Sequence, residues 1–442
     1  MVVLSLLTVF FVSAPMILLY ASGYSYSLKK NRLEKSGILN VSSVPTGATV
    51  TLDGRPLRRV TPVSVGHLLP DQYPISVSKP GYMTWSKSLT VNSGKTTFIK
   101  EIVLVPESLP QLIAASSSAG VFDSTGSTAA FFVEDGDWLE MTGLNLAAGS
   151  SLPLGRLFAE TYRDAELSLS PDGQLLLLSL RQGDETLRRI FTTAPAESGS
   201  QELTTGPISA EFASWANGGA SLALVSGSRL EVRGGDGVVV QRELETEVTG
   251  LLYGRDAIWM TTVSADGMPS LIRVRPSDLQ PVGSPIPLPR TGLTPIGGND
   301  RLLVLSGDEP DSGLLVDTDA EKSFRLPKAD GLSWENQNRS GRLLLWNEFE
   351  IHIVDAETGE SRLVTRLGAS ITGCVWHPLG TMAIYATDRE IMAVELDDRD
   401  RRNSFRLADF DSVGLMAVDR PTSSLRFFGA VGNRRGIYER PL

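Results

Sequence analysis

Residues 165–180 read "AELSLSPDGQLLLLSL". An alternating strand runs into Ser170-Pro171-Asp172-Gly173, and an almost unbroken apolar strand follows. Proline presets one turn angle and glycine supplies a positive φ, so these four residues predict a tight reversal between two paired strands. A strand apolar on both faces fits a sheet that is covered on each side. The unit recurs as "EFASWANGGASLALVS" from Glu211, "GLSWENQNRSGRLLLWN" from Gly331 and "TGCVWHPLGTMAIYAT" from Thr372. Its first strands read as ending at Ser170, Trp215, Trp334 and Trp376, followed by Gly173, Gly219, Gly341 or Gly380. Weaker copies begin near Gly120, Thr249, Gly292 and Ser412. A period of roughly 40 residues made of short strands is that of a four-stranded propeller blade. Residues 107–442 therefore predict a β-propeller of eight blades, or seven if the weak copies are misphased. The last copy has room for three strands, so "ESLPQLIAA" at 107–115 is expected to supply the fourth and close the ring, leaving no free edge.

Composition bounds the rest. The 442 residues are 41% hydrophobic and 21% charged, enough for one large domain or two to three ordinary ones. A net charge of -10 argues against nucleic acid and anionic lipid as general partners, since both are bound through basic patches. Cys374 is the single cysteine, so no internal disulfide can form. The histidines are His67, His352 and His377, fewer than a transition-metal enzyme normally draws on.

The stretch "MVVLSLLTVFFVSAPMILLYASGYSYSL" carries no charge before Lys29, and its apolar run has about the length that crosses a bilayer. Residues 1–28 are expected to be a single-pass transmembrane anchor, with Tyr20, Tyr24 and Tyr26 as an interfacial belt and 29–36 as a linker. A signal peptide is the rival reading, but the start lacks a basic residue and Pro15 follows the best small-residue site. Lys29, Lys30, Arg32 and Lys35 after the helix would favour the cytoplasmic side, against the extracytoplasmic placement expected for the β-rich remainder.

Residues 37–106 keep a period of two almost throughout. Ala48, Val50 and Leu52 share a face, Asp53-Gly54 suits a hairpin turn, and Tyr73, Ile75 and Val77 alternate with serines before Pro80-Gly81. This predicts a small β-sandwich. The stretch resembles the PEGA family in Pro45, Gly47 and Ala48, in Asp53-Gly54, in Thr61-Pro62, in "LLPDQY", and in "KPGY" with its Gly81 and Tyr82. It departs from that pattern at Thr46, where the family has glutamate, and at Asp71, where it has glycine. These residues read as shapers of the fold: proline fixes φ, glycine permits a tight backbone and alanine fits a narrow corner. The resemblance implies an extracytoplasmic binding or spacer module. The blades resemble the WD-repeat-like units of the TolB type, marked by a Trp-Ser-Pro-Asp-Gly turn. Ser170-Pro171-Asp172-Gly173 match well and "WHPLG" at 376–380 loosely. The module order resembles that of a group of bacterial envelope proteins.

Candidate chemistry is sparse. His377 stands in a turn where the other copies have Pro171, Ala216 or Glu335, and His352 lies in an alternating strand. "FVEDGDWLE" and "ELDDRDRRN" lack the spacing of a calcium loop and read as exposed hairpin tips. "EVRGGDG" opens no helix, so no phosphate loop is expected. Trp215, Trp334 and Trp376 recur at one blade position and read as packing between blades. No catalytic, cofactor-binding or metal-binding residue is assigned. The expected function is a membrane-anchored scaffold of the cell envelope whose propeller receives a protein or glycan partner. The alternative is a polysaccharide hydrolase or lyase with an acidic site on one propeller face.

Overall fold

A computed structural model describes residues 2–27, 31–116, 118, 120–158, 165–183, 185–193, 202–204, 206–219, 221–234, 239–335 and 341–442. The chain forms two compact units, Met1–Ser108 with Val394–Phe405, and Leu109–Ala393 with Arg406–Leu442.

Helix α1 spans Val2–Ala21. Its side chains are described without a break over residues 9–21. Among the described residues no helix is long and apolar enough to cross a membrane, which overturns the transmembrane anchor at 1–28 and the single-pass location inferred from it. The tyrosines do not form a belt either. Tyr20 stacks on His67 at 4.3 Å, while Tyr24 and Tyr26 lie in β1 (Tyr24–Ser27), which pairs with β2 (Arg32–Lys35). Lys29 and Lys30 lie outside the described residues.

Alternation then builds seven strands: β3 (Gly37–Val44), β4 (Thr49–Leu52), β5 (Arg55–Val60), β6 (Val63–Leu68), β7 (Asp71–Ser78), β8 (Trp85–Val91) and β9 (Thr96–Val103). They make two sheets, ordered β6-β3-β9 and β5-β4-β7-β8. Leu39 and Val41 of one sheet and Val50, Ile75, Val77 and Trp85 of the other are buried, each contributing roughly 1.5–3 kcal/mol by leaving water. The segment Val394–Phe405 covers the β8 edge of this unit. The Trp85 indole donates to Glu395 Oε1 at 3.0 Å, and the Ser88 N–H donates to Asp400 Oδ2 at 2.7 Å. The Lys87 ammonium, fully buried, sits 3.2 Å from Glu395 Oε2. "ELDDRDRRN" is therefore not a free hairpin tip, because its first carboxylate is buried against a tryptophan and a lysine.

In the second unit, eight four-stranded antiparallel sheets lie among the described residues. Seven are consecutive meanders, such as Ala165–Leu169, Leu175–Gln182, Glu185–Thr192 and Ile208–Ser209. The eighth joins Ser412–Asp419, Ser424–Val431 and Arg434–Pro441 to β10 (Gln111–Ala115), which pairs from Gln111↔Glu439 to Ala115↔Gly436. The closing strand thus comes from the 107–115 stretch, as the missing fourth strand requires. Gly436 has no room for a Cβ, which would run into the Ala114 carbonyl. The first strand of the last sheet, Ser412–Asp419, contacts that of the first, Val121–Phe122.

The unbroken apolar run at 175–180 has a direct cause. Leu176, Leu178 and Leu180 pack with Ala130, Phe132 and Met141 of the preceding blade, while Leu175 and Leu177 pack with Leu222 and Leu224 of the next. Both faces of the strand are interior, so neither can be polar.

Candidate functional site

The PEGA-like residues converge on one corner. Ala48 is fully buried, and its N–H donates to Thr61 Oγ1 at 3.0 Å. The Thr61 hydroxyl lies 2.6 Å from Ser43 Oγ, which in turn donates to the Pro45 carbonyl at 2.7 Å. Gly47 takes φ of 80° and donates its N–H to the Thr61 carbonyl at 2.8 Å, with Pro62 following directly. Lys79 Nζ donates to the Thr46 carbonyl at 2.7 Å, so the "KPGY" element reaches back to the corner through the backbone of the residue that replaces glutamate. Gly81 accepts from Glu107 N–H at 2.9 Å, and Tyr82 bridges to Pro106. Asp53 and Gly54 both take positive φ, as a two-residue hairpin needs. Each of these hydrogen bonds ties the motif residues to one another or to nearby backbone.

The blade turns are equally self-contained. Ser170 Oγ donates to Asp172 Oδ1 at 2.6 Å and accepts from Leu175 N–H at 2.9 Å. Gly173, at φ 69°, donates to the Ser170 carbonyl at 2.8 Å across Pro171. Gly380 N–H donates to the His377 carbonyl at the same distance. This pairing aligns His377 with Ser170 rather than with Pro171, and the strand before the turn ends at Leu169, not Ser170. In the second copy Gly218, not Gly219, takes the positive φ. Trp215 Nε1 donates to Ser168 Oγ at 3.0 Å and Trp376 Nε1 to the Ser333 carbonyl at 2.8 Å, each in the blade before its own. Trp334 is buried in an apolar cluster with Leu302 and Leu315.

Titratable groups follow their surroundings. His377 is buried, its Nδ1 accepts from Leu379 N–H at 3.2 Å, and loss of solvation pushes its pKa down to about 4. Burial pushes the Cys374 thiol up, which keeps it protonated and unreactive. His352 Nε2 lies 3.1 Å from Glu350 Oε2; that bond, followed by Arg366, holds the Glu350 carboxyl below its usual range. Among the described residues, no group of three or more His, Cys, Asp or Glu is placed to hold a metal ion. Residues 235–238, in and just after the glycine-rich "EVRGGDG", lie outside the described residues.

One patch of the second unit differs. The hairpin at 135–138, within "FVEDGDWLE", leaves Trp138 46% exposed, edge-on to Phe158 at 5.4 Å. Arg156 pairs with Glu140 at 2.9 Å and approaches Asp135 at 3.6 Å. By sequence alone this stretch reads only as an acidic hairpin tip. The recoverable signal was Trp138 between acidic residues in a strand whose partner carries Phe158 and Arg156.

The fold defines a small PEGA-like sandwich in the same chain as an eight-sheet propeller. Residues 36–106 match the PEGA domain family. The remainder is similar to solved propellers. The Dos1 propeller aligns with a TM-score of 0.52 at 10% identity, covering 75% of this chain and 94% of that one. The C-terminal WD40 domain of Sif2 aligns at 0.49 and 12% identity, covering 76% and 99%. Identities this low speak to fold alone. No curated protein matches the chain.

Proposed function

We propose that the protein is a non-catalytic interaction scaffold whose propeller receives a protein partner at the Trp138–Phe158–Arg156 patch. The observation that supports this reading is an exposed tryptophan already fixed by an aromatic neighbour, with an arginine beside it. Tryptophan and arginine dominate the energetics of protein interfaces, and a prefixed ring loses little freedom on docking. A propeller suits the role because its strands are mutually buried and its hairpins can vary without cost to the ring. The test is quantitative affinity capture from cells with the full chain, in parallel with Trp138→Ala. A protein partner captured by the wild type should fall at least tenfold with the variant, at unchanged circular dichroism. Equal capture by both would refute docking at this patch.

A further inference from the structure

We propose that the outer face of the β6-β3-β9 sheet is a carbohydrate-binding groove. The face holds a depression of about 480 Å³ lined by Asn40, Ser42, Pro62, Ser64, Phe98 and Lys100, among others. Four features meet there. Phe98 is 47% exposed in a strand whose neighbour Ile99 is buried, so the ring is displayed and not part of the core. The Asn40 amide oxygen is shielded from solvent and accepts no hydrogen bond, a state that costs roughly 1–3 kcal/mol until a donor arrives. β9 bulges opposite Ser42, since Val41 faces Ile99 and Ser43 faces Ile102. Within the bulge Glu101 takes φ of 56°, unfavourable for a non-glycine residue, and is held there by its N–H donating to Ser42 Oγ at 3.0 Å. Bulges and strained backbone cluster where side chains are re-aimed at ligands.

The chemistry of the floor selects the ligand. β3 is paired on both sides, antiparallel to β6 and parallel to β9, so its backbone has nothing left to offer an added peptide strand. Recognition on the floor formed by β3 therefore runs through side chains. An aromatic plate, an amide acceptor and serine hydroxyls match the C–H face and the hydroxyls of a pyranose. The Lys100 ammonium lies over the Phe98 ring, 5.0 Å from its centroid, on a flexible stem that can swing aside. Residues 1–108 carry eleven of the 41 basic and five of the 51 acidic residues, a net +6 against -16 for the remainder. Lys100 and Glu101 offset each other in the lining, so it is this surrounding positive excess that would draw in a uronic ahead of a neutral sugar.

Titration calorimetry of the full chain with cellohexaose, chitohexaose and hexagalacturonate tests this. At least one is expected to bind below millimolar Kd, hexagalacturonate most tightly. Phe98→Ala should weaken binding at least tenfold and Asn40→Leu several-fold, with melting curves unchanged because Phe98 is half-exposed. Trp138→Ala should leave sugar binding intact, so this site and the propeller patch fail or stand separately. No heat with any of the three sugars, or equal affinity in Phe98→Ala, would overturn the proposal. So would a peptide, rather than a sugar, crosslinked from position 98.

Discussion

The corner at Thr61 and the turn at Ser170 each bury a hydroxyl, but they satisfy it over different sequence distances. Ser170 finds both partners within five residues, in Asp172 and Leu175. Thr61 reaches back 13 residues to Ala48 and 18 to Ser43. The local solution survives any disturbance that leaves the turn intact. The distant one exists only when two segments are already in register. At the position of Ser170 in another blade, His377 shows a third case, a buried imidazole whose Nδ1 accepts from one backbone N–H.

The largest effect expected from this comparison is at His377. Its pKa falls from 6.5 in the unfolded chain to about 4 in the folded one. Between those values the unfolded state takes up a proton that the folded state refuses. Stability is therefore lost as pH drops from about 6.5 towards 4, by up to about 3 kcal/mol. Urea unfolding at pH 7 and pH 4.5 should show His377→Gln losing less than the wild type. Parallel losses would mean that the imidazole is not held neutral by burial.

Next is Thr61→Val, which keeps the shape but strands the Ala48 N–H. A cost of about 2 kcal/mol is expected, confined to the first unit and visible as faster hydrogen exchange at Ala48. Unchanged exchange there would remove the idea that the corner depends on this hydroxyl. The smallest is Ser170→Ala, about 1 kcal/mol by denaturant unfolding, since the turn's backbone bonds persist. If it equalled or exceeded Thr61→Val, sequence distance would not be what separates the two sites.

The strands were legible because burial on one face or two leaves a periodicity of two or an unbroken apolar run, as at Val50–Leu52 and Leu175–Leu180. Turns were legible where proline and glycine punctuate them, as at Pro171 and Gly173. What depends on partners far along the chain was not. Nothing local marks Glu395 as the acceptor for Trp85, so a run of charges looked like a solvated tip. The same holds for the groove around Asn40, which is assembled from β3, β6 and β9 and has no motif of its own. The apolar start misled differently, because composition alone promised a span that the described helix does not supply.

Closure by β10 also sets a timetable. Its partner strand lies about 320 positions downstream, between Ala115 and Gly436. At roughly 5–20 residues per second, a ribosome takes tens of seconds to deliver that partner. Through that interval the earliest strand of the ring has finished synthesis but has no neighbour, and its hydrogen-bonding edge is open to any other nascent chain. The strand at Arg434–Pro441 is therefore the one whose arrival ends the period of greatest risk to the protein.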